Sequence, residues 1–210
     1  MKTRKKDTRW LAMMALFIAI QLFLNVTGIG LIPLPVIKGT TLHIPVILGA
    51  IVLGPMAGGI LGGVFGLCSI WNNTATPALL SFALSPFMAE DMVGALKSLW
   101  IALGCRILIG VVAGWLWIAL KKKNLGDFIA LPVVGAAGAL TNTVLVMGSI
   151  ALLLAPEYAA ANHIGMEAVM WTILGVIGSS GVVEAIGAVI LVTAIGKALL
   201  KLDRMALRKA

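Results

Sequence analysis

Residues 42–70 read LHIPVILGAIVLGPMAGGILGGVFGLCSI. The stretch is either one overlong apolar helix or two short ones broken at Leu53-Gly54-Pro55. That choice sets on which side of a membrane every later segment lies. Four other apolar runs, about 10–27, 98–120, 129–155 and 167–196, are each long enough to cross about 30 Å of hydrocarbon at about 1.5 Å per residue. Lys and Arg favour the cytoplasmic side, so charge decides. The N-terminus carries Lys2, Arg4, Lys5, Lys6 and Arg9; one later loop carries Lys121, Lys122 and Lys123; the C-terminus carries Lys197, Lys201, Arg204, Arg208 and Lys209. A broken 42–70 puts all three clusters on one side. The expectation is therefore an all-α polytopic membrane protein. It has six transmembrane helices in one bundle (about 10–27, 42–53, 56–70, 98–120, 129–155 and 167–196) and both termini cytoplasmic. Pro55 suits the first turn of the third helix, where a missing N–H is harmless.

Composition agrees. Of 210 residues, 60% are hydrophobic and 11% charged, against about 25% charged in soluble domains. The chain is read as a single domain. The net charge of +8 does not point to nucleic acid, because the basic residues fall in three clusters separated by apolar spans. Cys68 and Cys105 lie within apolar runs, with neither metal spacing nor a disulfide pattern. Residues 1–25 have a basic head and an apolar stretch, but Asn25-Val26-Thr27-Gly28 offers no small-x-small cleavage site. They are read as a retained first span.

Short spans interrupted by Gly and Pro mark substrate sites in transporters, or are simply tilted and partly buried. Gly58/Gly62, Gly59/Gly63 and Gly62/Gly66 in the third span, and Gly110/Gly114 in the fourth, are spaced for close helix packing. Two extracellular loops are long: loop 1, residues 28–41, and loop 3, residues 71–96. Loops of the latter length are uncommon without function, and this one is half apolar, as a lid would be.

Few polar groups remain inside the spans: Gln21, Asn25, Arg106, Thr141-Asn142-Thr143, Ser179, Ser180 and Glu184. Arg106 sits in IALGCRILIGVVAG, residues 101–114. A cation at the middle of a membrane helix costs about 2.5–3.5 kcal/mol on the mildest scale, so a compensating partner is required. Arg106 lies about 14 Å below the outer surface, Asn142 near the midplane and Glu184 about 20 Å above the inner surface. All three reach the middle layer if spans four to six are neighbours. Arg106 and Glu184 form a buried ion pair, or Arg106 meets a substrate. Arginine accommodates a carboxylate through two parallel hydrogen bonds, and asparagine reads hydroxyl or amide groups. Candidate substrate contacts are Arg106, Asn142, Asn72, Asn73, Thr74, Glu184, Ser180 and His43. For His43, just before Pro45, a water-facing position in a loop is the competing reading. Trp71, Trp100 and Trp171 fall near outer ends, as an aromatic belt does, and Trp71 is also placed to roof a pocket. No catalytic constellation, P-loop or metal motif is present, so the chain is read as neither an enzyme nor an ATPase, without cofactor or metal.

The segments 42–77, SPF (85–87), LTNTVLVMG (140–148) and GVVEAIGAVIL (181–191) resemble the substrate-binding S components of energy-coupling factor (ECF) vitamin transporters, in the pantothenate-type branch. ALFIA, with Ala15 and Ala19, is similar to the family's Ala-x-x-x-Ala motif. Ser179-Ser180 stands where that branch would carry Asn. The resemblance implies a high-affinity vitamin-binding subunit in a bacterial cell membrane, with pantothenate as substrate. It implies contacts from Arg106 and Asn142, and packing of Ala15 and Ala19 on a T subunit. Import is then driven by that T subunit and two ATPase subunits as the S component topples in the bilayer. The alternatives are an S component for another vitamin, such as riboflavin or folate, and a stand-alone permease for small solutes.

Overall fold

The computed structural model describes residues 8–28, 31–33, 38–89 and 91–207. Lys2, Arg4, Lys5, Lys6, Arg208 and Lys209 of the terminal basic clusters lie outside the described residues, as do the side chains of Lys38 and Arg204. Among the described residues the regular structure is helical except for one short ribbon in the first expected loop. There β1 (Leu31–Pro33) pairs antiparallel with β2 (Lys38–Thr40), with Leu31 opposite Thr40. The helices are α1 (Thr8–Thr27), α2 (His43–Leu53), α3 (Pro55–Ala75), α4 (Ser81–Leu84), α5 (Met92–Leu99), α6 (Cys105–Lys122), α7 (Asp127–Leu153), α8 (Ala155–Asn162), α9 (Met166–Val176) and α10 (Val182–Leu207). One turn of π-helix, Trp100–Gly104, joins α5 to α6, and another, Ile177–Gly181, joins α9 to α10. Among the described residues, four helical bodies are long and apolar enough to cross a membrane: Thr8–Thr27, Met92–Lys122, Asp127–Leu153 and Met166–Leu202.

The break expected in 42–70 is present. Gly54 has φ +97°, a conformation that L side chains rarely adopt, and Pro55 opens α3. At 11 residues, α2 is about 16 Å long, half of what a span needs. It is apolar all round and buried from His43 to Ile51. A helix of that character belongs inside a bundle, and α2 touches α1, α3, α6, α7 and α10.

Helix α3 runs longer than expected. Its end at Ala75 takes residues 71–75 out of the expected loop, and α5 begins at Met92, taking residues from the loop's other end. What remains, 76–91, holds α4 and a single 3₁₀ turn at Pro86–Met88. The helix continues through these polar residues, with the side chains of Asn73 and Thr74 bonding back to Ser69 O and Ile70 O.

Helices α3 and α6 meet backbone to backbone. A Cβ on Gly58 would lie 2.5 Å from Gly110 O, one on Gly62 2.2 Å from Arg106 O, and one on Gly66 2.7 Å from Ala102 O. A Cβ on Gly114 would lie 2.6 Å from Pro55 Cα. The expected packing role therefore holds for Gly58, Gly62, Gly66, Gly110 and Gly114. Gly59 and Gly63 sit one face over, where the nearest atoms are side chains of Val111 and Ile107 at 3.4 and 3.9 Å. A second seam joins α7 to α10 through small residues: a Cβ on Gly135 would lie 3.0 Å from Ala188 O, and Ala139, Ala185 and Ala188 are buried together.

Gly62→Ala has no flexible neighbour to displace, so it should destabilise the purified protein by about 1–3 kcal/mol. Gly63→Ala should leave stability unchanged within about 0.5 kcal/mol. Thermal unfolding of the two variants in one detergent compares them directly. Equal midpoints would show that the α3–α6 contact is not close.

Candidate functional site

Arg106 follows the first π turn by two residues, on the side of α6 facing α3 and α7. Its backbone carbonyl abuts Gly62, and its side chain is buried. The guanidinium carbon stands 4.7 Å from the centre of the Phe65 ring, a cation–π distance. Nη1 donates a hydrogen bond to Asn142 Oδ1 on α7. Nε has no hydrogen-bond partner among the described residues. An unsatisfied donor on a buried cation is expensive.

These residues border a cavity of about 120 Å³. Its walls come from Phe65, Ser69, Asn72 and Asn73 on α3, Arg106 on α6, and Asn142, Thr143, Val146 and Met147 on α7. Ser180 in the second π turn and Glu184 on α10 complete the far side. Thr143 Oγ1 donates to Glu184 Oε2 at 3.1 Å. Arg106 and Glu184 thus face the same hollow, each with its own partner on consecutive residues of α7.

Ala78, Leu79, Leu80 and Leu84 close the cavity on one side. This roof is tied down by hydroxyls. Ser81 Oγ donates to Asn73 Oδ1 at 2.8 Å and accepts from Ala78 N at 2.8 Å. Thr74 Oγ1 and Ser85 Oγ share a hydrogen bond of 2.7 Å. Ser98 Oγ donates to Phe82 O at 2.8 Å. Asn72, which lines the cavity, donates to Asn25 Oδ1 of α1 at 2.6 Å.

Six of the eight sequence-derived candidates converge on one cavity: Arg106, Asn142, Asn72, Asn73, Ser180 and Glu184. Two do not border it. Thr74 is exposed and bonds the roof, because two helical steps of about 100° turn it away from Asn72. His43 is 2% exposed in the first turn of α2, which overturns the water-facing reading; its neighbour Leu42 borders the cavity instead. Trp71 is 70% exposed and lies off the cavity, so the roof is made by leucines. Trp100 and Trp171 are also exposed. Phe65, Ser69, Met147 and the roof were not foreseen. Phe65, Ser69, Asn72 and Asn73 fall at helical spacing, a signal that reading α3 through to residue 75 would have exposed.

The sequence profile of the family described as "ECF transporter, substrate-specific component" matches residues 9–196. The chain belongs to the ECF transporter S component family. It is similar to the pantothenic acid transporter PanT of Lactococcus lactis subsp. cremoris, with 35% identity over 205 residues, covering 95% of this chain and 96% of that protein. The pantothenate transporter PanT of Leuconostoc mesenteroides subsp. mesenteroides is 29% identical over 210 residues, covering 95% and 96%. An S component is a substrate-binding transport subunit, not an enzyme, and the apolar helical bodies described above fit a protein embedded in a membrane.

Ser81→Ala removes one hydroxyl that serves both Asn73 and Ala78. It should speed amide hydrogen exchange across residues 78–88 about tenfold or less, in line with about 1 kcal/mol per lost hydrogen bond. Exchange in α6 and α7 should not change. Unaltered exchange in 78–88 would show that the roof is not held by this bond.

Proposed function

We propose that this S component binds pantothenate from outside the cell and delivers it inward as the substrate subunit of an ECF-type importer. The observation that carries the reading is Arg106: a buried guanidinium, fixed by Phe65 and Asn142, with Nε still unpartnered and a cavity beside it. Pantothenate offers one carboxylate for the arginine. Its amide and hydroxyls suit Asn142, Asn72, Asn73, Ser180 and Glu184. Both relatives named above are described as transporters of this vitamin.

In the proposed topology α1, α2, α3, α5–α6, α7 and α9–α10 make six passes, with α2 shielded by its neighbours. Charge supports the orientation. Lys121 bridges Asp127 at 2.9 Å, and Lys197 lies 4.6 Å from the centre of the Phe128 ring. The basic ends of α6 and α10 therefore meet at the start of α7. By the preference of Lys and Arg for the cytoplasm, that end faces inward and the roof faces outward, with both chain termini cytoplasmic. Ala15 and Ala19 are exposed on α1, on the face away from buried Met14, Phe17 and Gln21. They are free to pack on a T subunit, which with two ATPases would supply the energy.

Arg106→Ala should weaken pantothenate binding at least 100-fold by titration calorimetry, about 2.7 kcal/mol or more, while the variant still purifies as a folded monomer. Affinity within twofold of the parent would remove Arg106 from the site. A thermal-shift panel should show stabilisation by pantothenate and none by riboflavin or folate, since stabilisation grows with concentration over Kd. Uptake by proteoliposomes lacking T subunit and ATPases would establish the stand-alone permease instead.

A further inference from the structure

We propose that Glu184 is the charge filter of the cavity: it accepts a hydrogen bond from the hydroxyl end of the ligand and rejects ligands that carry a second negative charge there. The proposal rests on the pantothenate reading for the choice of probe and adds a role that the reading does not need.

Arg106 on α6 and Glu184 on α10 border one cavity, giving it one cationic and one acidic side chain. Helix α7 stands between them and addresses each separately. Asn142 turns a carbonyl oxygen to the guanidinium, and Thr143, the next residue, turns a hydroxyl to the carboxylate. An ionised carboxylate only accepts hydrogen bonds and has about four acceptor sites; Thr143 is one of its donors. Ser180 lies four residues before Glu184, borders the same cavity, and brings a hydroxyl that both donates and accepts. The rest of the lining mixes apolar side chains, Val146, Met147 and the roof leucines among them, with Ser69, Asn72 and Asn73 of α3.

A ligand that places a carboxylate on Arg106 extends its other end across a hollow of about 120 Å³. A hydroxyl arriving there meets acceptors. An anion arriving there meets a carboxylate in surroundings with few water molecules, where like charges repel more strongly than in bulk. The site therefore distinguishes a monoanion with a distal hydroxyl from the same molecule esterified with phosphate at that hydroxyl. Thr143 is a positioning residue here, since it acts through the carboxylate.

The test uses the purified full chain in lipid nanodiscs and calorimetric titration with three probes. These are pantothenate, its phosphate ester at the terminal hydroxyl, and its acetyl ester at the same hydroxyl, which adds bulk without charge. The parent protein should bind the phosphate ester at least 100-fold more weakly than pantothenate and at least tenfold more weakly than the acetyl ester. In Glu184→Gln the gap between the two esters should narrow at least tenfold. Glu184→Ala serves in the same way where the glutamine variant does not purify folded. Equal affinity of the two esters for the parent would show that size, not charge, governs entry, and would overturn the proposal. So would a gap in either folded variant within twofold of the parent's. A parent that binds pantothenate but shows no ester gap removes only the filter. A parent that binds no pantothenate removes the substrate reading and the filter with it.

Discussion

A guanidinium inside an apolar bundle is useful only if it is held still with donors to spare, and here the backbone contact between α3 and α6 does the holding. Gly62 leaves room for the Arg106 carbonyl at the place where a side chain would begin. That fixes the arginine's main chain against α3. Phe65, three residues further along α3, then falls over the guanidinium, since residues at i and i+3 share a helix face. Asn142 completes the cradle from α7. The glycines therefore shape the cavity's charged wall, although none borders the cavity. They convert close packing, which dispersion and small residues favour in membranes, into a fixed position for a charge.

The two π turns serve the same end from the other side of the bundle. Along α9 the buried residues are Val169, Ile173 and Val176; from the last residue of the turn onward they run Gly181, Ala185, Ala188 and Val192. The steps are four and three within each helix but five between Val176 and Gly181. One extra residue has been inserted into the helix, which rotates everything after it by about 100°. Glu184 comes three residues after the turn and Ser180 lies inside it. A uniform helix would have carried the α9 stripe straight through and turned Glu184 elsewhere. Wide turns of this kind are concentrated at functional sites, and this chain has one directly ahead of each charged residue of the cavity.

This explains what could and could not be read from the sequence. The break at Gly54-Pro55 was legible because one residue must take a positive φ and the next cannot donate a backbone hydrogen bond. Arg106 and Asn142 were legible because polar groups are costly in an apolar span, so each demands a reason. The extent of α3 was not, since Asn72, Asn73 and Thr74 look like loop residues until their side chains are seen bonding back onto the helix or across to the roof. His43 was misjudged for a related reason: α2 is surrounded by the bundle, and burial there comes from tertiary packing that no local pattern encodes. The register shift in α9–α10 is invisible to any argument that assumes 3.6 residues per turn throughout.

The contacts on the two sides of the cavity differ in kind, and that difference bears on how a ligand could pass. The roof is held by neutral hydrogen bonds between short side chains and backbone, each worth about 1 kcal/mol, over a segment with few long helices to anchor it. Toward the basic end, the space below Phe65 and Arg106 is filled by Ile47, Leu61, Ile109 and Leu131, all fully buried in one core. It is backed by the glycine seam of α3 and α6. Opening the roof breaks these hydrogen bonds and lifts Leu80 and Ala83, with Phe82 and Leu84, from the smaller core they share with Ile101, Val146 and Met147, whereas opening the floor would part the larger core, at several kcal/mol for each large side chain exposed. On the proposed reading, ligand enters and leaves such a bundle through the roof. If the roof faces outward during capture, delivery to the cytoplasm requires the whole body to reorient rather than an inner gate to open. Such a body would need no inner gate, and the sequence carries no P-loop of its own.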